Sequence, residues 1–236
     1  MDESLRHAIG KLCNVLACAY GSTEYCLGTT TELSNPADFK EFNCGKPVPI
    51  NGYEMKIVDS DGNTVPVNRR GELLIRGPGM FKEYINNPEK TKAVKSNDGW
   101  YNTDDLARMS EHGELFVEGR TSNVIISKGD NVIPEEMEAV LRRCPGIKDV
   151  LIVPVSDPAC FQLICACVVP KDGYQLTEDD VRNYVNAFYN PENEILLLLP
   201  TFYMLLESFP KTKTGKNSRK RLQAMAESMF RNDNTR

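Results

Sequence analysis

The segment VEGRTSNVIISKGDNVIPEEMEAV, residues 117–140, marks the point where the chain changes character. Its first residues end an apolar strand pattern at Arg120, and NVIISKGDNVIP predicts a β-hairpin that turns at residues 128–130. Pro134 then suits the first turn of a helix, because proline has no N–H group to leave unpaired there. We therefore predict a domain boundary directly after Arg120.

The chain before this boundary has two parts. A helical pattern from Leu5 leads into the short apolar strand LACAY, which ends at Gly21. From residue 43 to residue 119 the pattern is β: MKIVDS and TVPV flank the turn DGN, and GELLIRG and GELFVEGR each run from Gly-Glu into apolar residues. Because proline, glycine and asparagine interrupt this stretch often, we predict a small β-barrel-like or sandwich subdomain.

The chain after the boundary mixes strands and helices. Strands are predicted at DVLIVPV, QLICACVVP and TFYMLLES, and a last helix at SRKRLQAMAESMF. Thr177 and Asp180 resemble a capping box, which indicates that a helix begins there. The predicted fold class is therefore α/β and α+β, with one domain over residues 1–120 and a compact α+β domain over residues 121–236.

The composition is that of an ordinary globular protein. Hydrophobic residues make up 41% of the 236 residues and charged residues 26%, and no apolar run approaches the length of a membrane span. The net charge of -5 argues against a general nucleic-acid binder. One basic run, residues 211–221, contains six cations and no acid, which by itself is typical of a solvated surface.

The termini and the cysteines indicate an intracellular protein without resolving the compartment. The N-terminal MDESLRHAIGK has no secretory pattern, and the C-terminal RNDNTR matches no retention or peroxisomal signal. Eight cysteines occur without a C-x-x-C pair and with only two histidines, so a zinc site is not expected. This usage suits a reducing compartment.

The motif YGSTE, residues 20–24, places hydroxyl groups and a carboxylate after an apolar strand and a glycine turn. A hydroxyl group can donate to a phosphate, and a carboxylate can hold the Mg²⁺ that bridges phosphates. Taken alone, Ser and Thr before Glu are equally typical of a helix cap.

A second motif, DGWYNTDDL, residues 98–106, places two carboxylates after an aromatic pair. A carboxylate can accept hydrogen bonds from both ribose hydroxyl groups of a nucleotide. The alternative, taken alone, is an acidic turn in solvent.

At the domain boundary, Arg120 ends a strand, and its forked guanidinium could reach a ribose or a phosphate. Gly129 at the hairpin tip would let a ligand approach the backbone closely. The alternatives are a surface arginine and an ordinary turn glycine.

A lysine on a glycine-containing loop occurs in PKTKTGK, residues 210–216. The loop lacks the G-x-x-x-x-G-K-[ST] spacing of a phosphate-binding P-loop, and Asn217 follows the lysine where a hydroxyl group is required. A Walker-type nucleoside triphosphatase is therefore excluded.

These four segments occur together and in one order, and in this the chain resembles the adenylate-forming superfamily, which includes acyl-CoA synthetases, aryl-CoA ligases, luciferases and peptide-synthetase adenylation domains. The resemblance extends from about residue 15 to about residue 222 and includes the linking segments GKPVPINGYEMKIVD, GELLIRGPGMFKEYINNPEKT and LPTFYMLLESFPKTKTGK. It implies that residues 1–120 are a remnant of the large adenylate-forming domain and residues 121–236 the mobile lid domain.

The resemblance also implies an acid–thiol ligase that works in two steps. A carboxylate attacks the α-phosphate of ATP to give an acyl-adenylate and pyrophosphate, and the thiol of coenzyme A then displaces AMP. Lys216 would neutralise charge on the α-phosphate during the first step. The implied site residues are Thr23, Glu24 and Lys216 for catalysis, with Glu24 as the Mg²⁺ ligand, and Tyr20, Gly21, Ser22, Asp105, Arg120 and Gly129 for binding ATP, AMP or coenzyme A. We add Arg219, in the basic run, as a contact for the phosphates of coenzyme A.

The chain departs from the family pattern at several positions. The family's Thr-Gly-Asp is Thr-Asp-Asp here, with Asp104 in place of glycine, and Ser122 stands where the hinge usually has Asp or Lys. The family's KGY is KEY, with Glu83, and Asn217 replaces an aliphatic residue. The Ser/Thr/Gly-rich loop ending in Pro-Lys, which grips pyrophosphate in the family, does not occur in these 236 residues.

Two hypotheses follow from that last departure. In the first, the chain is the distal part of a longer acyl-CoA ligase, which acts on a small-molecule carboxylic acid, with a fatty acid preferred over a 4-coumarate-type or luciferase-type substrate. In the second, the chain is a non-catalytic module that binds a nucleotide, coenzyme A or another protein. The residues that would select the acid lie mostly before YGSTE in the family, so the sequence does not identify the acid.

Overall fold

The computed structural model describes residues 11–35, 38–48, 52–188 and 198–233. The chain divides into two compact units, Met1–Ser122 and Asn123–Arg236. This division falls two residues beyond the boundary predicted after Arg120. Within the described ranges, no helix has the length and apolarity required to cross a membrane.

The first unit begins with a three-stranded antiparallel sheet in the order β1-β2-β3. The segment LACAY forms its first strand, as predicted, whereas most of the helix predicted from Leu5 lies outside the described residues. The strands are β1 (Leu16–Tyr20), β2 (Thr29–Leu33) and β3 (Lys46–Pro47). This sheet carries the YGSTE motif at the end of β1.

The second sheet of this unit is an open antiparallel meander, β4-β5-β6-β7. Its strands are β4 (Glu54–Val58), β5 (Gly71–Arg76), β6 (Tyr101–Met109) and β7 (Leu115–Arg120), and helix α1 (Pro88–Val94) lies between β5 and β6. The prediction of a barrel-like subdomain is wrong, because the described sheets do not close: β4 and β7 are the two edges. Closure requires the first strand to pair with the last, and four strands are too few to surround a core.

The predicted pairing of MKIVDS with TVPV also differs in the structure. Strand β4 pairs along its length with β5, and TVPV contributes only a single bridge between Val58 and Thr64. Proline within TVPV limits its ability to complete a ladder, since proline has no N–H group to donate. The register of β6 against β7 sets Asp105 directly opposite Arg120, two of the predicted site residues.

The second unit is a five-stranded sheet with helices on both faces. Its strands are β8 (Ile125–Ser127), β9 (Asp130–Val132), β10 (Ile147–Asp157), β11 (Phe161–Pro170) and β12 (Phe202–Leu205), and its helices are α2 (Pro134–Leu141), α3 (Glu178–Phe188) and α4 (Arg219–Asp233). Strand β11 pairs antiparallel with β10 and parallel with β12. The predicted hairpin at the start of this unit is confirmed.

Alternation along β11 explains why helices cover both faces of this sheet. Ile164, Ala166 and Val168 pack with α2 and α3 on one face, whereas Cys165 and Cys167 pack with α4 on the other. A strand buried on both faces reads as a continuous apolar run, which is what QLICACVVP is. The sheet is therefore the rigid frame from which the loop before α4 projects.

Two predicted helix starts are confirmed. Pro134 lies in the first turn of α2. Thr177 caps α3: its hydroxyl oxygen accepts from the N–H of Asp180 at 3.2 Å, and the Asp180 carboxylate accepts from the N–H of Thr177 at 2.9 Å.

Candidate active site residues

The YGSTE motif forms a turn directly after β1. The N–H of Cys26 donates to the carbonyl of Ser22 at 2.7 Å and closes the turn. A Cβ atom at Gly21 would lie 1.7 Å from the Cys26 carbonyl oxygen, so only glycine fits there. No helix begins between residues 21 and 28, which the structure describes throughout, so the motif is not a helix cap.

The carboxylate of Glu24 is held at both oxygens. Ser22 Oγ donates to Oε2 and the Tyr84 hydroxyl group donates to Oε1, each at 2.8 Å. Partial burial acts to raise the pKa of Glu24, but these two hydrogen bonds, a backbone hydrogen bond and the charge of Lys90 together hold the pKa below its ordinary value. Glu24 is therefore ionised at neutral pH and suits a divalent cation, and the exposed Thr23 lies beside it.

The contribution of Tyr84 was not predicted. In the sequence, its segment KEY stands out only as a departure from the family pattern. Tyr84 lies sixty residues from Glu24 along the chain, and nothing in the local pattern indicates which side chain its hydroxyl group contacts. Only the fold brings the two together.

Three of the predicted binding residues meet around Asp105. Arg120 Nε lies 2.9 Å from Asp105 Oδ1, and the Tyr20 hydroxyl group donates to Oδ2. Asp105 is only 7% exposed, so the alternative of an acidic turn in solvent is wrong. Burial, followed by the neighbouring Asp105 carboxylate, raises the pKa of Tyr20 well above its usual range, so this hydroxyl group stays a donor.

Arg120 remains open to a ligand despite its contacts. Its side chain is 53% exposed. Its terminal nitrogen Nη1 donates to the carbonyl oxygen of Thr103 at 3.1 Å, which fixes one end of the guanidinium without burying it. The arrangement leaves a fixed carboxylate beside a half-exposed guanidinium.

Asp104 and Ser122, two residues that depart from the family pattern, contact each other. Asp104 has φ of 61°, a left-handed conformation that favours glycine and tolerates Asp, which accounts for the family's glycine at this position. Its carboxylate accepts from the N–H of Ser122 at 3.0 Å and from Ser122 Oγ at 2.6 Å. Asp104 Oδ2 also lies 3.8 Å from Arg120 Nη1, so Asp104 contacts both Ser122 and Arg120, while Asp105 contacts Tyr20 and Arg120.

In the second unit, Lys216 lies near the end of a tight turn that we call the lysine hairpin, residues 211–217. The N–H of Thr212 donates to the carbonyl of Lys216 at 2.7 Å, and the N–H of Gly215 donates back to Thr212 at 3.0 Å. Gly215 has φ of 83°, which the turn requires and which glycine adopts without strain. Lys216 itself is exposed.

Gly129 lies in the turn between β8 and β9. It has φ of 91°, and a Cβ atom built there would contact nothing within 4 Å. The backbone at this turn is therefore open on the side that a Cβ atom would occupy, and the role of Gly129 beside a ligand channel stays a prediction.

Arg219 has a different environment from the one predicted. Its Nη1 lies 2.6 Å from Glu138 Oε1 and 2.6 Å from the carbonyl oxygen of Ile152, and its Nη2 lies 3.5 Å from Glu135 Oε1. Glu138 is 1% exposed. The guanidinium is thus committed to a buried carboxylate, and we no longer assign Arg219 to the phosphates of coenzyme A.

Comparison with known proteins identifies the family. A family model described as AMP-binding enzyme matches residues 1–85, and one described as AMP-binding enzyme C-terminal domain matches residues 136–216. A 4-coumarate–CoA ligase 1 from Glycine max is 35% identical over 217 residues, which cover 89% of this chain and 71% of that relative. The chain belongs to the AMP-binding enzyme family.

Other AMP-binding enzymes are longer than this chain. A 4-coumarate–CoA ligase from Vanilla planifolia is 35% identical over 219 residues, which are 89% of this chain and 37% of the relative. The o-succinylbenzoate coenzyme A synthetase MenE from Bacillus subtilis, solved with ATP and magnesium ion, has a TM-score of 0.74 and 26% identity over 88% of this chain and 41% of its own. The resemblance inferred from the sequence is confirmed.

The names of the relatives bear on which class of carboxylic acid is expected. Their names give 4-coumarate and not a fatty acid, so the predicted preference for a fatty acid has no support from them. The alternative of a 4-coumarate-type AMP-binding enzyme matches those names.

Proposed function

We propose that this chain supplies the ribose-binding, metal-binding and lysine-bearing parts of an AMP-forming ligase that joins a carboxylic acid to coenzyme A. The observation that carries the proposal is the meeting of Tyr20, Asp105 and Arg120 from separate segments around one buried carboxylate. A carboxylate is an acceptor-only group that can bind ribose hydroxyl donors, and Tyr20 and Arg120 hold this one in a fixed orientation. Arg120, half exposed beside it, would donate to the same ribose.

The phosphates of ATP would lie against the turn after β1. Thr23, exposed on that turn, would donate to the α-phosphate. The ionised Glu24 would hold Mg²⁺, which supplies Lewis-acid stabilisation of charge on the phosphates when bound. Ser22 and Tyr84 keep the carboxylate of Glu24 oriented for that task.

The reaction would proceed in two displacements. An oxygen of the acid attacks the α-phosphorus and pyrophosphate leaves, giving the acyl-adenylate. The thiol of coenzyme A then attacks the acyl carbonyl carbon and AMP leaves. Lys216 would place its ammonium group against the α-phosphate in the first displacement, and the open turn at Gly129 would border the path of the thiol arm in the second.

For the acid, we propose an arylacrylic acid of the 4-coumarate type ahead of a fatty acid. The support is the identity of 33–36% to ligases with that name. The chain spans 37% of the Vanilla planifolia relative, and the family resemblance implies that most residues that contact the acid precede YGSTE.

ATP–pyrophosphate exchange tests the proposal. The assay compares this chain with a polypeptide extended upstream to include a phosphate-gripping loop, each with 4-coumaric, benzoic and long-chain fatty acids. We expect exchange by the extended form, fastest with 4-coumaric acid, and its loss in Lys216→Ala but not in Lys213→Ala, which removes an exposed lysine from the same hairpin. Binding of AMP without exchange in either form would support the non-catalytic module instead.

A further inference from the structure

The side chain of Asn217, next to Lys216, closes the base of the lysine hairpin. Its Oδ1 accepts from Lys211 Nζ at the opposite end of the hairpin. Its Nδ2 donates to Asp149 Oδ2 in β10 at 3.0 Å. Asn217 is half-buried, whereas residues 211–216 are all exposed, so the contact with Asp149 ties an exposed loop to the sheet.

Asp149 is well placed to act as an anchor. It lies where β10 deviates from regular pairing with β11, between Ile147 and Asp149, and its Oδ1 accepts from the N–H of Val150 at 2.9 Å. That bond fixes the carboxylate to the backbone of a strand that is packed on both faces. The other carboxylate oxygen, Oδ2, is therefore held in a fixed orientation, in which it accepts from Asn217.

Other bonds hold the ends of the hairpin without directing its tip. The N–H of Ser218 donates to the carbonyl of Pro210 at 2.7 Å, and Arg221 Nη1 donates to the carbonyl of Lys211 at 3.1 Å. These contacts, and the buried pair of Arg219 with Glu138, keep α4 in place if the Asn217 contact is removed. Loss of the contact with Asp149 therefore releases the base of the hairpin from β10 and leaves the domain folded.

We propose that Asn217, through Asp149, is a positioning residue for Lys216. The inference rests on the proposed role of Lys216 in adenylation. The aliphatic side chain of the family pattern could neither donate to Asp149 nor accept from Lys211. This chain therefore restrains its lysine hairpin with two hydrogen bonds that an aliphatic residue cannot form. Fixing the hairpin limits the volume that the Lys216 ammonium group samples, and small misplacements of a reacting group are costly.

Proteolysis of the chain as it stands tests the structural half of this proposal. Asp149→Ala removes the anchor without changing the hairpin sequence, and trypsin cleavage at the Lys216–Asn217 bond should accelerate about tenfold, since a hydrogen bond to a charged group is lost. The control is Asp172→Ala, which removes an exposed carboxylate paired with Lys148, next to Asp149 in sequence. Equal cleavage rates in Asp149→Ala and the parent chain would overturn the proposal.

The functional half requires the form that shows ATP–pyrophosphate exchange. Asp149→Ala and Asn217→Asp should each slow adenylation about tenfold, while thioester formation from supplied acyl-adenylate stays within about twofold, because Lys216 acts only in the first step. Asn217→Asp sets two carboxylates together, and adding Asp149→Asn restores an amide–carboxylate bond with donor and acceptor exchanged. That swap should recover most of the adenylation rate.

The two possible failures are distinguishable. If neither form of the protein exchanges pyrophosphate while trypsin cleavage responds as expected, the proposed function fails and the tether stands as a structural feature. If exchange occurs but adenylation and thioester formation fall equally, or if the swap recovers nothing, Asn217 does not position Lys216.

Discussion

Two acid–arginine pairs lie beside the candidate catalytic segments, one in each unit, and they differ in how much water reaches them. In the first unit, Asp105 is buried but Arg120 is 53% exposed, and one 2.9 Å contact joins them. In the second unit, Glu138 is 1% exposed and Arg219 is 23% exposed. The chemical groups are of the same kind. Asp105 and Arg120, which we call the open pair, are accessible to a ligand, whereas Glu138 and Arg219, which we call the closed pair, are not.

The difference follows from the elements that carry each pair. Asp105 and Arg120 face each other across two strands at the open edge of a meander, so one side of the arginine stays in solvent. Arg219 begins α4, and its guanidinium reaches the buried carboxylate of Glu138 and the backbone of β10. The two arginines therefore differ in exposure and not in charge: Arg120, at 53% exposed, is the one that we propose as a nucleotide contact, whereas Arg219, at 23% exposed, pairs with a buried carboxylate.

The largest expected effect comes from breaking the closed pair. Glu138→Ala removes the acceptor of the Ile152 N–H, which donates to Glu138 at 2.9 Å, and the buried carboxylate that pairs with both Arg219 and Arg142. We expect the second unit to lose about 4 kcal/mol of stability, since removing one partner of a buried ion pair is strongly destabilising. Urea unfolding with hydrogen exchange of the Ile152 amide measures the loss.

The matched control for that experiment is Glu207→Ala, which removes an exposed carboxylate from the same unit. It should leave exchange at Ile152 unchanged. An equal effect of the two substitutions would show that the Glu138 pair is no more structural than a surface charge.

The sequence predicted the open pair better than the closed one. Asp105 and Arg120 were found because each ends a recognisable motif and because the motifs occur in family order. Arg219 was assigned to the coenzyme A contacts because the sequence shows the basic run that contains it. Its partner Glu138 is 81 residues away, so the sequence does not show the ion pair. A signal did exist: residues 134, 137, 138 and 141 share helical spacing, so an acid occupies a core position of the α2 stripe.

Other misses have similar causes. The barrel was predicted from the density of strands and turns, but whether a sheet closes depends on which edges pair, and local patterns do not encode that. The contact of Asp104 with Ser122 unites two departures that looked independent in the sequence. Residues whose role depends on a partner far along the chain were the ones that the sequence did not resolve.

A second prediction concerns the pH dependence of the closed pair. Burial raises the pKa of Glu138, and Arg219 opposes that rise. Arg219→Leu should therefore raise the pKa further. A carboxyl group whose pKa is raised by folding stabilises the folded state below its unfolded pKa and loses that contribution as the pH rises through the folded pKa.

The destabilisation by Arg219→Leu should thus be about 3 kcal/mol near pH 7 and about 2 kcal/mol near pH 5. The difference is expected because Glu138 in the variant takes up a proton at the lower pH. Urea unfolding across this pH range measures it. Lys220→Leu, which removes the neighbouring exposed cation, is the control and should show no such trend. A loss in Arg219→Leu that does not change with pH would mean that Arg142, whose Nη2 lies 3.0 Å from Glu138 Oε2, keeps Glu138 ionised in the absence of Arg219.

The open pair should respond in the opposite way. Arg120→Ala should change stability by less than about 1 kcal/mol, as half-exposed ion pairs contribute little, but should weaken AMP binding about tenfold through the loss of a donor to the ribose. Calorimetric titration with AMP and urea unfolding give the two values, with the exposed Arg69→Ala as control. Loss of stability without loss of affinity would place Arg120 with Arg219 as a structural residue.

The smallest effect is expected where the open pair adjoins the end of the first unit. Ser122→Ala removes the 2.6 Å bond to Asp104 but keeps the bond from its own N–H, so trypsin cleavage after Arg120 should rise only about threefold. In an Asp104→Gly background, where the carboxylate is absent and glycine accepts the positive φ, the same substitution should have no further effect. Additive effects would show that Ser122 restrains this segment through some other contact, and the two departures would then be unrelated.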